Sequence, residues 1–306
     1  MNKGFFTLLL SVSYLLSFAQ QKGSSSQGKI EIPLTQANDV VVTHTGYSLL
    51  YNETHEQASW VAYELTGKET QKLYKRSDKF LVDPKVSTGT ATDADYKESG
   101  YDRGHLAPAA DMGWSSITMA ESFYYSNMSP QVPSFNRGIW KKLEELVRTW
   151  AVENNSIYVV TGPVLSSGLK TIGPNKVSVP NYYYKVILDY DEPAKKAIGF
   201  ILPNMGSDKP LQSFAVSIDS VEKVTGIDFF HALPDDQEAY LESSLCTSCW
   251  SWKSTSGGSS VQSQGKTQSQ PSTSSSESVK CSGRTQAGNR CKRMTTNANG
   301  RCYQHQ

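Results

Sequence analysis

No cysteine occurs in the first 245 residues of this 306-residue chain; all five lie at or beyond Cys246. Whatever folds before that point does so without disulfides, even in a compartment that permits them. An excess of charge is missing too. The 30 Lys and Arg nearly balance 29 Asp and Glu, and the formal net charge of +1 excludes a uniformly basic coat. A polyanionic partner would have to be held by local patches or through a metal. No internal repeat is evident. After the N-terminus no apolar run approaches the roughly 20 residues that a membrane-spanning helix needs.

What is present begins with Lys3, an apolar run from Phe5 to Leu16, and small residues at Ser17 and Ala19. This is the pattern of a signal peptide over residues 1–19, cleaved after Ala19, which predicts a secreted or periplasmic protein with no membrane attachment after cleavage. Residues 20–39 read as a flexible leader and 40–245 as the main domain. Residues 254–279 are a linker rich in Ser and Gln, whose composition cannot bury enough surface to order itself. Residues 280–306 form a basic, Cys-bearing module.

Within the main domain, Tyr158–Gly162, Tyr182–Leu188 and Ala197–Leu202 read as strands. The last two are joined through Asp189-Tyr-Asp-Glu-Pro193 as a hairpin. Ile139, Leu143, Leu146, Val147 and Trp150 recur at helical spacing, which predicts a helix over about 136–152 with Asn136 as its N-cap. A shorter helix is expected over 220–225, before Gly226. Strands outnumber helices without alternating regularly with them, so an α+β fold is expected.

Polar and special residues concentrate between Tyr101 and Glu144: Asp102-Arg-Gly-His105, Ser126-Asn-Met-Ser-Pro-Gln131, and Asn136-Arg-Gly-Ile-Trp140-Lys-Lys-Leu-Glu144. An isolated His is more often structural than catalytic, yet it is the side chain that titrates nearest neutrality. Asn136 can cap a helix, or its amide oxygen can bind a hard cation such as Mg²⁺. On an ideal helix Glu144 would lie about 80° around and about 12 Å along from Asn136. Its plain reading is a solvated face beside Lys141, Lys142, Glu145 and Arg148.

Taken together, these three segments resemble the signature of the DNA/RNA non-specific endonucleases, the ββα-metal or His-metal finger group. Gly46–Tyr51, Trp60–Leu65, Val160–Pro163 and the stretch from Ala197 to Asn204 are similar as well, so the resemblance covers roughly residues 40–240. It implies a ββα-metal fold with a mostly antiparallel sheet, DNA and RNA as substrates, and Mg²⁺, Mn²⁺ or another divalent ion as cofactor. It implies His105 as general base and Asn136 as metal ligand. Glu144 would be the carboxylate that orients water around the metal, and Asn127 a holder of the active-site network. Arg76 would steady the phosphate, with Lys75 and Arg103 as competitors; Arg103 faces either phosphate or an internal carboxylate. A homodimer is compatible with these features without being called for by any of them. The rival reading is a nucleic-acid-binding protein with an inactive site.

The module at 280–306 carries Cys281, Cys291, Cys302 and His305, three thiols and an imidazole that match a tetrahedral Zn²⁺ site. Disulfide pairing is the alternative. Zinc would leave Cys246 and Cys249 to pair with each other. Lys280, Arg284, Arg290, Lys292, Arg293 and Arg301 make the module basic, with no acidic residue among them.

Overall fold

The computed structural model describes residues 29–253, 279–284, 291, 294–295 and 301–302. The expected signal peptide, nearly all of the linker, and His305 lie outside the described residues. In chain order the strands are β1 (Val41–Thr43), β2 (Ser48–Asn52), β3 (Gln57–Thr66), β4 (Asp102–His105), β5 (Met128–Gln131), β6 (Ser156–Pro163), β7 (Thr171–Ile172), β8 (Val177–Ser178), β9 (Tyr182–Asp189), β10 (Lys196–Pro203) and β11 (Ala215–Val216). The helices are α1 (Asp93–Tyr96), α2 (Ser116–Glu121), α3 (Lys141–Asn154), α4 (Ile218–Thr225) and α5 (Asp235–Ser243).

Seven strands form one sheet in the order β1-β2-β3-β6-β9-β10-β11, and every neighbouring pair in it is antiparallel. The two-residue side-chain period sends alternate residues to opposite faces. Val61, Tyr63, Leu65, Tyr183 and Ile187 meet Leu143, Leu146, Val147 and Trp150 of α3 in one buried cluster. Trp60, Ala62, Tyr184, Val186 and Leu188 meet Ile218 and Val221 of α4 and Leu241 of α5 in the other. The result is helix, sheet, helix: an α+β protein with a mostly antiparallel core.

The hairpin of β9 and β10 forms as its pattern predicts, pairing Asp189 with Lys196 at the turn and Tyr182 with Pro203 at the far end. Helix α4 ends at Gly226, also as expected. On the α3 side of the sheet a separate two-stranded ribbon, β4 with β5, pairs Asp102 with Gln131 and His105 with Met128. This ribbon followed by α3 is the ββα unit.

Three expectations are corrected. Residues 29–39 are not a loose leader, because Ile30 and Ile32 pack against the cluster on the α4 face. The packed body also runs past 245. Trp250 and Trp252 lie 4.5 and 5.7 Å from Trp150, ring centre to ring centre, and Cys246 is joined to Cys249 by a disulfide. Asn136, finally, is not a helix cap. It lies inside a wide π-helical turn, Phe135–Trp140, broken by non-helical backbone at Gly138, and α3 begins only at Lys141. The spacing argument for Asn136 and Glu144 assumed one continuous α-helix and does not apply across that turn.

Candidate active site

His105 ends β4, and its position rests on backbone packing. The strand's Gly104 lies beneath Gln131, where an added Cβ would sit 2.2 Å from the Gln131 Cδ. Any larger residue would have to displace that side chain, so the glycine leaves Gln131 its buried place against β4. Beyond the strand, Leu106 N–H donates to the Asn127 carbonyl at 3.0 Å. The Asn127 side chain then clamps Ala107, accepting from its N–H at 2.8 Å and donating to its carbonyl at 2.9 Å, while a further bond reaches the Ser122 carbonyl at 2.8 Å. Asn127 is fully buried and all its polar atoms are engaged, so it holds the segment that follows His105 and does not face outward.

The His105 ring sits in an aromatic corner, 4.8 Å from Phe123 and 5.9 Å from Phe80 between ring centres. It is 8% exposed. Burial and the nearby Arg76 push its pKa down to about 3, against a hydrogen bond to the Arg103 backbone that favours the charged form. The ring is therefore neutral, and its Nε2 is buried without a hydrogen-bond partner.

The two arginines differ. The Arg76 guanidinium lies 4.8 Å over the Phe123 ring and its Nε donates to Asp78 at 2.5 Å, with half of the side chain open to solvent. Arg103 stacks 4.3 Å over Phe80 and is paired with the Asp93 carboxylate. In this structure Arg103 thus faces a surface carboxylate, with 37% of its own side chain exposed.

Asn136 meets β4 at Asp102. Its Nδ2 donates to Asp102 Oδ2 at 2.9 Å, and the same carboxylate receives a two-pronged Arg137 at 2.8 and 2.5 Å. With the amide nitrogen anchored, Oδ1 is the end of Asn136 that remains without a hydrogen bond. Asp102 precedes His105 by three residues, about 10 Å along a strand.

Glu144, on the first turn of α3, is half-buried and not on a solvated face. Burial raises its pKa, opposed by Arg148 and Lys185. Arg148 in turn donates to Asp111 at 2.7 Å, and Tyr63 donates to the other oxygen of Asp111 at 2.9 Å. Lys185 is fully buried on the α3 face of central strand β9. Its Nζ has no hydrogen-bond partner and lies 4.9 Å over the Trp140 ring; burial lowers its pKa. Neither Lys185 nor Asp111 was singled out from the sequence. The signal for Lys185 was available: a lone cation within the apolar run Tyr182–Leu188.

A second His–Asp–Ser grouping is structural. His44 Nε2 lies 2.8 Å from Asp83 Oδ2 with both side chains fully buried, and Ser126 donates to that carboxylate rather than to the imidazole. A serine so engaged is not activated by a base.

The residues around β4, β5 and α3 also match known proteins. The family described as DNA/RNA non-specific endonuclease matches residues 25–236. The chain belongs to that family. It is 39% identical over 229 residues to Nuclease C1 of Cunninghamella echinulata var. echinulata, covering 69% of this chain and 89% of that protein. Against the mitochondrial nuclease EXOG of Danio rerio it is 37% identical over 221 residues, 67% of this chain but only 63% of that longer protein. A chain from the crystal structure of an EndoG/EndoGI complex, described in terms of EndoG inhibition, superposes with a TM-score of 0.63 at 32% identity, covering 68% of this chain and 91% of that one. Membership carries a chemistry: metal-dependent hydrolysis of nucleic-acid phosphodiesters.

The donor set fits a hard cation. Asn136 offers an amide oxygen without a hydrogen bond, its nitrogen being held by Asp102, and Glu144 on the first turn of α3 offers a carboxylate. Oxygen ligands of this kind suit Mg²⁺ and related ions, which keep several waters and take few protein ligands. Two surface pockets, of about 650 and 560 Å³, include none of His105, Asn136 or Glu144.

Proposed function

We propose that the chain is an exported, Mg²⁺-dependent endonuclease that cuts DNA and RNA with little sequence preference. One observation carries the reading: a neutral imidazole whose Nε2 is unpartnered, fixed at the end of β4, with the Asn136 amide anchored on the same strand.

His105 would take a proton from water as its oxygen attacks phosphorus. The P–O bond to the leaving sugar oxygen breaks, and that oxygen acquires a proton from solvent. The low basicity of the buried ring changes as substrate arrives, because an anionic phosphodiester nearby favours the imidazolium. Asn136, through Oδ1, would hold the divalent ion, with Glu144 orienting water around it. When bound, that ion supplies Lewis-acid relief of the charge on the phosphorane and on the leaving oxygen. Arg76, the more open of the two arginines, would steady the phosphate. Arg103 would act through Asp93 and Phe80 by shaping the wall around His105. Chemistry aimed at phosphate and sugar reads no base edge, which accounts for low sequence selectivity. The apolar run at Phe5–Leu16 supports export.

The test is digestion of supercoiled plasmid, single-stranded DNA and RNA with Mg²⁺ and with EDTA. Cleavage of all three that EDTA abolishes is expected. Binding without cleavage under every divalent ion would overturn the reading in favour of a nucleic-acid-binding protein.

A further inference from the structure

The described part of the tail holds three buried sulfurs. Cys281, Cys291 and Cys302 are each at most 3% exposed, and they form a buried cluster with no fourth member among the described residues. Their Sγ atoms all lie within 4.8 Å of one another, and Cys291 and Cys302 are 3.9 Å apart. A disulfide would require about 2.0 Å. Tetrahedral zinc with Zn–S bonds of about 2.3 Å sets its sulfurs roughly 3.8 Å apart. The observed separation is that of two corners of a zinc tetrahedron.

We infer that Cys281, Cys291 and Cys302 bind a structural zinc ion. Two further observations agree. Cys281 Sγ accepts backbone N–H bonds from Gly283 at 3.4 Å and Cys302 at 3.2 Å, the contacts that favour a thiolate over a thiol. The described part of the tail also carries little regular structure. Its described regular structure is one two-residue ribbon, Val279–Lys280 paired with Met294–Thr295. A segment of 27 residues, 280–306, is far below the size at which an apolar core alone sustains a fold. In such modules the metal's binding free energy is the folding free energy. Cys302 and His305 are spaced as Cys-x-x-His, which suits chelation of one ion. Three thiolates on one ion are a donor set of structural zinc, which organises the tail and takes no substrate.

The experiment is elemental analysis of the full chain after exchange into Mg²⁺ buffer, which displaces zinc from a weak oxygen-ligand site. One tightly held zinc per chain is expected, released as an organomercurial titrates three thiols. Cys281→Ser, Cys291→Ser or Cys302→Ser should each abolish it while plasmid cleavage in Mg²⁺ is unchanged, and His305→Ala should weaken it. Asn136→Ala should retain it, which separates this site from the nuclease centre. Cobalt substitution gives a second readout, through thiolate-to-metal charge-transfer absorption that the serine variants lose. A zinc-free chain from zinc-supplemented buffers, or a disulfide between any two of the three cysteines by intact mass, would overturn the inference.

Discussion

Two neighbourhoods of the site lie on the same side of the sheet and solve opposite problems. Around His105 the protein offers aromatic rings and a guanidinium, and the imidazole gives up its charge. Around Glu144 it offers Arg148, Lys185 and Asp111, so charge is buried among charges. The first arrangement keeps the imidazole neutral by excluding water. The second keeps ionisable groups inside by giving most of them partners. One corner is therefore robust to loss of a neighbour, and the other is not.

The largest expected effect breaks the first corner. His105→Ala should lower cleavage by about 10³-fold or more, since a positioned general base contributes roughly 10²–10⁴, while nucleic-acid binding measured by gel shift persists. Comparable cutting by the variant would remove His105 from the mechanism.

Breaking the second corner should cost stability. Arg148→Met leaves the Asp111 carboxylate, 1% exposed, without its ion partner. Breaking such a buried pair costs about 3–5 kcal/mol, a fall in Tm of roughly 10 °C for a domain of this size. Thermal unfolding within a degree or two of the parent would mean that solvent reaches this carboxylate.

A smaller change sharpens the contrast. Arg76→Ala removes the second of the two causes that depress the His105 pKa, burial being the first. The ring's pKa should rise but remain below 6.5, followed by imidazole NMR, and cleavage should fall about tenfold, or about 1.4 kcal/mol. Between about pH 6.5 and 3 the unfolded chain binds a proton at this ring that the folded chain refuses. That contribution to stability is present above the unfolded pKa and is lost as pH falls through the window. The Arg76 variant should lose less over the same range. An unmoved ring titration would leave burial as the sole cause.

The smallest effect is expected at Lys185. Its Nζ has no hydrogen-bond partner, so Lys185→Met should change stability by about 1 kcal/mol or less, in either direction, as replacing a buried charge with an apolar side chain of similar volume often does. The loss of a nearby cation should at the same time push the Glu144 carboxyl further up. A drop as large as that of Arg148→Met would show Lys185 to be a full member of the charged network.

Local signals carried far in the sequence. The alternation and turn residues around Asp189–Pro193 delivered the β9–β10 hairpin, and Gly226 marked the end of α4. Asp102-Arg-Gly-His105 and the segment from Asn136 to Glu144 marked the site because their residues are close in sequence. The wide turn at Phe135–Trp140 was not legible, since Ile139 and Leu143 keep the same spacing on either side of the Gly138 break. The charged neighbourhood was hidden for another reason. Tyr63, Asp111, Arg148 and Lys185 come from four separate parts of the chain, and only the folded sheet brings them together. The tail was legible in its cysteines but not in their meeting, since Cys281, Cys291 and Cys302 come together only in the folded tail.

The bare backbone at Gly104 has a consequence for what this protein can become. It acts as a spacer of zero thickness between two strands, one carrying the imidazole and the other leading into the turn that carries the amide. A single methyl group there would have to push the buried Gln131 side chain out of its place against the ribbon. The room left at this point is less than one carbon atom.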